Sequence, residues 1–207
     1  MVIHPGDLIE EISQLTDIGL KSKILIDEMA VLSLDTHRAY EAILKGWHEG
    51  GKASTGRGIS PAYADVLLRQ PLRMRDLVSF DQKKIATHYQ IYQAWIKGMG
   101  KNLKDVSVVT LGKKGKIVVG TEAEFTNRLK KQARILKRYT ANIYDFMKKS
   151  WDDKKYSFVF EKAMAVGIDP RWGVYPDITA SDCTFAGIFG STEGVVDPET
   201  IPFRANV

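Results

Sequence analysis

The stretch GGKASTGRGIS, residues 50–60, places four glycines, two cations and three hydroxyl side chains in eleven positions. That composition suits an anion. Glycines let backbone N–H groups approach a ligand closely, hydroxyls donate, and an arginine adds a charge-assisted fork. Ser54, Thr55, Gly56, Arg57 and Gly58 meet those needs side by side. A helical pattern, PAYADVLLRQ, opens at Pro61 and is closed by Pro71, so its positive end faces the same place. The stretch is not a Walker A loop, because no G-x-x-x-x-G-K-[ST] occurs in the chain. Composition alone fits an ordinary turn between two helices equally well.

Other chemistry-bearing residues are sparse. His4, His37, His48 and His88 show no ligand-type spacing with one another or with Cys183, and read as surface or helix-face residues. One cysteine excludes an internal disulfide and any multi-cysteine zinc cluster. No catalytic residue and no metal ligand is assigned from spacing. The 30 Lys and Arg against 25 Asp and Glu leave a net charge of +5, compatible with a phosphorylated ligand. No aromatic-basic motif of the RNA-binding kind accompanies that charge, so nucleic acid is not expected as a partner. Pro5, Gly6 and Asp7 interrupt any signal-peptide pattern, and no apolar run is long enough to span a bilayer, which points to a cytoplasmic protein.

The elements that must hold the loop follow from periodicity and capping. Pro5 opens a helix whose Leu8, Ile9, Ile12 and Leu15 share a face, and Gly19 ends it. KILID, residues 23–27, reads as a buried strand. Asp35 reads as the N-cap of a helix through Glu49, with Trp47 among its inward residues and Gly50 and Gly51 as its stop. A helix over 81–97 turns Ile85, Tyr89, Tyr92 and Ile96 to one side. Residues 105–120 pattern as a β-hairpin turning at 112–115. Thr121 and Glu124 form a capping box for a helix running to about Lys149, with Phe125, Leu129, Leu136, Ile143 and Met147 as its spine. YSFVFE, residues 156–161, reads as a second internal strand, and 162–194 are loop-dominated. The mixture of strands and helices is that of an α/β fold.

The wording of the opening stretch carries more than its composition. STGRGISPAYADVLLRQPLRMRDL, residues 54–77, resembles the T-T-G-R-G-I-G-P-x-Y-x-D signature of adenylosuccinate synthetase. FEKAMAVGIDPRWGVYPDITASD, residues 160–182, resembles that family's F-E-G-A-Q-G and G-T-Y-P-x-V-T-S-S-N segment. VIHPGDLIEEI and DTHRAY look like two of its upstream blocks, so the resemblance spans residues 2–194. It implies a largely parallel sheet flanked by helices, one truncated synthetase-like domain over 1–207, and the hairpin at 105–120 as an insertion.

The resemblance implies purine nucleotide biosynthesis by GTP-dependent ligation of IMP and aspartate. The γ-phosphoryl of GTP goes to the 6-oxygen of IMP, and the aspartate nitrogen then displaces it. By the same resemblance Thr55 and Thr179 bind the IMP phosphate, with Ser54, Gly56, Arg57 and Gly58 completing the first loop. Arg69 matches the arginine that reaches a neighbouring subunit's IMP, which implies a homodimer. Met164 stands where the family has the glutamine beside the purine 6-position, and a thioether lacks that amide's donors and acceptor. Lys162, Ala165, Val174, Ala180 and Asp182 also depart from the family's residues, so the phosphate end of the pocket is the better kept.

The family's Q-W-G-D-E-G-K-G-K, N-x-G-H-T, T-T-G-R-x-R-R and [NT]-K-x-D motifs do not occur in these residues. GTP and magnesium are therefore implied for a complete family enzyme and not for this chain alone, which is expected to turn over no GTP by itself. A complementing chain carrying the missing motifs is one implication. Two further readings stay open: a non-catalytic module that binds a purine monophosphate, and a degenerate module that only dimerises.

Overall fold

In the computed structural model, residues 1–19, 22–46, 54–112, 115–162 and 164–202 are described. They divide into two compact units, Met1–Ala141 and Asn142–Val207.

The first unit begins with β1 (Val2–Ile3), whose chain passes straight into α1 (Pro5–Asp17) with Pro5 in the first turn and His4 as cap. Gly19, at φ +78°, follows the end of α1. The KILID run yields only a short strand, β2 (Ile26–Asp27), because Asp27 Oδ1 takes the Met29 N–H and turns the chain. β3 (Val31–Leu32) then pairs in parallel with β1, Val2 opposite Val31.

α2 (Asp35–Lys45) starts one residue earlier than Asp35 predicts as a cap. Leu34 holds the N-cap position and its N–H is taken by His37 Nδ1 at 2.8 Å, while the Asp35 carboxylate is drawn away to His4 and Arg128. The expected continuation through Trp47 to Gly50 and Gly51 lies outside the described residues. α3 (Ile59–Leu67) begins two residues before Pro61. Gly58, at φ +71°, turns the chain into the helix, and Pro61 remains within the first turn, where its missing N–H costs nothing.

α4 (Met74–Val78) and α5 (Gln82–Gly98) follow, and all four expected inward residues of α5 are buried. The hairpin forms as β4 (Ser107–Val109) against β5 (Lys116–Val118), antiparallel. The Thr121–Glu124 capping box opens α6 (Glu122–Leu136). One helix through Lys149 does not form. The chain tightens to a 3-10 turn over Lys137–Tyr139, then Thr140–Ala141 becomes β6 and pairs in parallel with β2. Local chemistry helps the break, since Thr140 Oγ1 donates back to the Leu136 carbonyl and Thr and Asn are poor helix formers, while the pairing with the distant β2 fixes the strand.

The class is α/β, and two of the three described strand pairs are parallel. The core of this unit gathers Leu32, Leu34, Met74, Leu77, Tyr89, Tyr92, Phe125 and Leu136, each almost fully buried.

The second unit opens with α7 (Ile143–Ser150), capped by Asn142, whose side chain accepts the Asp145 N–H. The expected strand at 156–161 is not one: no ladder forms there among the described residues. Its aromatic side chains pack on one another and on Trp151 instead, Phe158 stacked on Phe160 at 6.3 Å and tilted against Trp151 at 5.1 Å. α8 (Ala186–Ser191) is the only α-helix described beyond α7. A small core of Met147, Ile188 and Val196 lies within this unit.

Candidate functional site

Residues 54–58 form a tight loop leading into α3. Ser54 Oγ accepts the Gly56 N–H at 3.1 Å, a side-chain turn that curls the backbone. Thr55 is exposed and Gly58 is buried. A Cβ on Gly58 would lie 2.7 Å from Ser33 Oγ, 2.8 Å from His37 Cβ and 3.0 Å from the Arg38 amide. Only glycine allows the loop to press so closely on the start of α2. Ser33 Oγ completes the contact by donating to the Arg57 carbonyl at 2.7 Å.

The charges around this loop come from four distant segments. Asp7 on α1 is the hub. Its Oδ2 accepts from Arg38 Nη2 at 2.7 Å and Arg57 Nη1 at 3.1 Å, and its Oδ1 accepts from Thr110 Oγ1 and the Leu111 N–H, both at 3.0 Å. Burial opposes the charge on Asp7, but hydrogen bonds from His4, Arg38 and the Leu111 amide outweigh it and hold the carboxyl far below the usual carboxylate range. His4 Nε2 donates to Asp35 Oδ1 at 3.1 Å, and Asp35 also accepts from Arg128 Nε at 3.0 Å. Burial works against protonated His4, yet its bonds to Asp35 and Asp7 leave its pKa raised. Gly58 N–H donates to Glu41 Oε2 at 2.6 Å.

Behind the loop a second polar cluster fastens α3 in place. His37 Nδ1 is filled by the Leu34 N–H, so Nε2 carries the proton and donates to Asp65 Oδ2 at 3.0 Å. His88 Nε2 meets Thr36 Oγ1 at 2.7 Å, and its Nδ1 lies 3.5 Å from the same Asp65 oxygen. Tyr92 Oη and Gln70 Nε2 donate to Asp65 Oδ1. His37 and His88 are therefore not surface residues; they are 1% and 5% exposed. Their polar atoms are satisfied from α2, α3 and α5 together, which makes burial affordable.

His37, Asp65 and His88 place ligand-type atoms within 4.8 Å of one another. A cation there would have to displace the proton on His37 Nε2 and invert the tautomer that accepts the Leu34 amide, so the donor set describes a hydrogen-bonded lock. Burial is the first cause that lowers the His37 pKa to about 4, against the pull of Asp65. Burial also opposes the charge on Asp65, but bonds from His37 and His88 prevail and depress its pKa.

A family model described as adenylosuccinate synthetase matches residues 1–201. The chain belongs to the adenylosuccinate synthetase family. It is 30% identical over 200 residues to the adenylosuccinate synthetase of Wigglesworthia glossinidia brevipalpis, covering 93% of this chain and 42% of that protein. It is 31% identical over 194 residues to the enzyme of Bifidobacterium adolescentis, covering 90% and 41%. A solved structure of fully ligated adenylosuccinate synthetase from Plasmodium falciparum superposes with a TM-score of 0.72 at 22% identity, over 92% of this chain and 41% of that one, a likeness of fold. The chain thus spans about 42% of the length of the first of these relatives.

In this member of the adenylosuccinate synthetase family the loop residues Ser54, Thr55, Gly56, Arg57 and Gly58 stand together, and Arg57 is tied to Asp7. Arg69 lies past the far end of α3, roughly 15 Å of helix from the loop. It is exposed, at φ +62°, and makes no salt bridge among the described residues. Thr179 and Met164 belong to the second unit. Thr179 donates its N–H to the Ile168 carbonyl at 2.8 Å, within a turn organised by Asp169, whose carboxylate accepts from the Arg171, Trp172 and Cys183 amides. Met164 is 42% exposed and adopts φ +74°, a strained backbone for a side chain of its kind.

Sequence reasoning missed Asp7, Arg38 and Glu41 as partners of the loop, and His37, Asp65 and His88 as its brace. Arg38 and His37 do stand in the DTHRAY block, where two cationic types fall on a helix opening with an acid. Nothing in the sequence signals Glu41, which looks like any solvent-facing helix glutamate.

Proposed function

We propose that residues 54–58 hold the 5′-phosphate of an IMP-like purine nucleotide, and that the chain supplies the phosphate-binding and dimer-forming part of a GTP-dependent ligase joining IMP and aspartate. The observation that carries this reading is a close-packed glycine loop feeding the first turn of α3, in a chain matched to the family over 1–201. A helix start favours negative charge, and the exposed Thr55 hydroxyl adds a donor. Arg69 reaches the nucleotide of a partner subunit in this reading. GTP and magnesium belong to it through the family alone; no described residue is assigned to them. The protein works in the cytoplasm in this reading, and no described helix is long and apolar enough to cross a membrane.

Calorimetry with IMP, AMP and inosine tests the site. IMP should be preferred over inosine far more than over AMP, because the phosphate is held better than the base. Thr55→Val, which removes one donor, should weaken IMP about tenfold. Equal binding of inosine and IMP would show that the loop is a turn and nothing more.

A further inference from the structure

Two charge-recognising donors of the loop already hold carboxylates from their own chain. The Gly58 N–H points at Glu41 Oε2, 2.6 Å away, and Arg57 Nη1 at Asp7 Oδ2, 3.1 Å away. We propose that both carboxylates stand in for a phosphate monoester, and that Glu41 sets the affinity of the loop by competing with the ligand for the Gly58 N–H. The proposal rests on the reading of residues 54–58 as a phosphate site and names the device that regulates it.

The two contacts are not equally binding on their donors. Asp7 does not depend on Arg57: without it, Oδ2 keeps Arg38 Nη2 and Oδ1 keeps Thr110 Oγ1 and the Leu111 amide. The Arg57 side chain is 35% exposed and that of Arg38 2%, so Arg57 is the partner able to turn toward a ligand. Two cations meet on one Asp7 oxygen, and Arg38 Nε is buried without a hydrogen-bond partner among the described residues.

Glu41 is the rival. It projects from the middle of α2 and its carboxylate occupies the start of α3, the place where the helix favours an anion. A single N–H cannot serve a phosphate oxygen and Glu41 equally, and two like charges a few ångströms apart repel. Glu41 is only half buried, so it can give up the contact and return to water. The exchange moves hydrogen bonds and breaks no covalent bond.

Titrating the 207-residue chain with IMP and with inosine, as wild type and as Glu41→Gln, tests the competition. Removing the rival charge should tighten IMP about tenfold and leave inosine unchanged. If the wild type prefers IMP over inosine and Glu41→Gln binds IMP no more tightly, Glu41 is a strut and the competition is wrong while the phosphate reading stands. If neither form prefers IMP, the phosphate reading falls and takes the competition with it. Because the substitution can loosen the loop, nuclear magnetic resonance on the wild type gives a second measure. Added IMP should move the Gly58 amide and the Glu41 side-chain carboxyl signals together, and a response at Gly58 with none at Glu41 overturns the proposal.

Discussion

Gly56 and Gly58 are two residues apart, share nearly the same left-handed backbone at φ +70° and +71°, and differ in what surrounds them. A Cβ on Gly56 meets nothing within 4 Å, whereas one on Gly58 strikes the start of α2. Gly56→Ala should therefore cost about 1 kcal/mol, the backbone penalty alone. Gly58→Ala adds the overpacking penalty and should cost about 3 kcal/mol. Urea unfolding of the two variants separates them, and equal losses would mean that the loop does not press on α2. That Arg57 and the Gly58 N–H would donate was legible from a glycine-rich run bearing an arginine. Their carboxylate partners were not: Asp7 lies 50 residues from Arg57 and Glu41 lies 17 from Gly58, on helices where an acid looks like ordinary surface.

The helices α2, α3 and α5 are joined by titratable groups, and this gives the fold a pH dependence of known sign. His37 must be neutral in the fold, with its pKa lowered from 6.5 to about 4 by burial. Its contribution is complete above the unfolded pKa and is lost as pH falls from 6.5 toward 4, by about 3 kcal/mol. The depressed pKa of Asp65 extends the loss to more acidic solution. His4 acts in the opposite direction. Its pKa is raised, so its contribution is present below 6.5 and fades as pH rises through the folded value. Thermal unfolding followed across pH should pass through a maximum near 6.5, and His4→Asn should flatten the alkaline side. A flat acid limb would show that the His37–Asp65 lock is not a stabilising element. These same elements show where periodicity succeeds. The inward face of α5 and the Thr121–Glu124 cap are local signals and were readable. The break between α6 and α7 was not, because an unbroken apolar spacing from Phe125 to Met147 hides a two-residue strand that exists only through β2.

Across the whole molecule, the parallel pairing and the family were legible from widely separated blocks of sequence, while the strand expected at 156–161 failed because a strand needs a partner and an aromatic run needs only neighbours. The assembly is the next level. Arg69 has an exposed side chain beyond the end of α3, and the proposed function assigns it to the nucleotide of a partner subunit. Sedimentation should find a dimer, and Arg69→Ala should weaken IMP binding without lowering the unfolding temperature; a monomer with unchanged affinity would remove Arg69 from the site. The Asp7 hub has a consequence for the order of assembly. Its partners lie 31, 50, 103 and 104 residues along the chain. A carboxylate shut away from water ahead of its partners would be strongly penalised, and the most distant contacts carry the greatest loop-closure entropy. The seat around Asp7 is therefore expected to close late, once α1, α2 and the β4–β5 hairpin have met. In refolding followed by pulsed amide exchange, the Leu111 N–H should gain protection after the amides of α5, so that the segment bearing the candidate ligand loop reaches its working shape only when more than half of the chain is already in place.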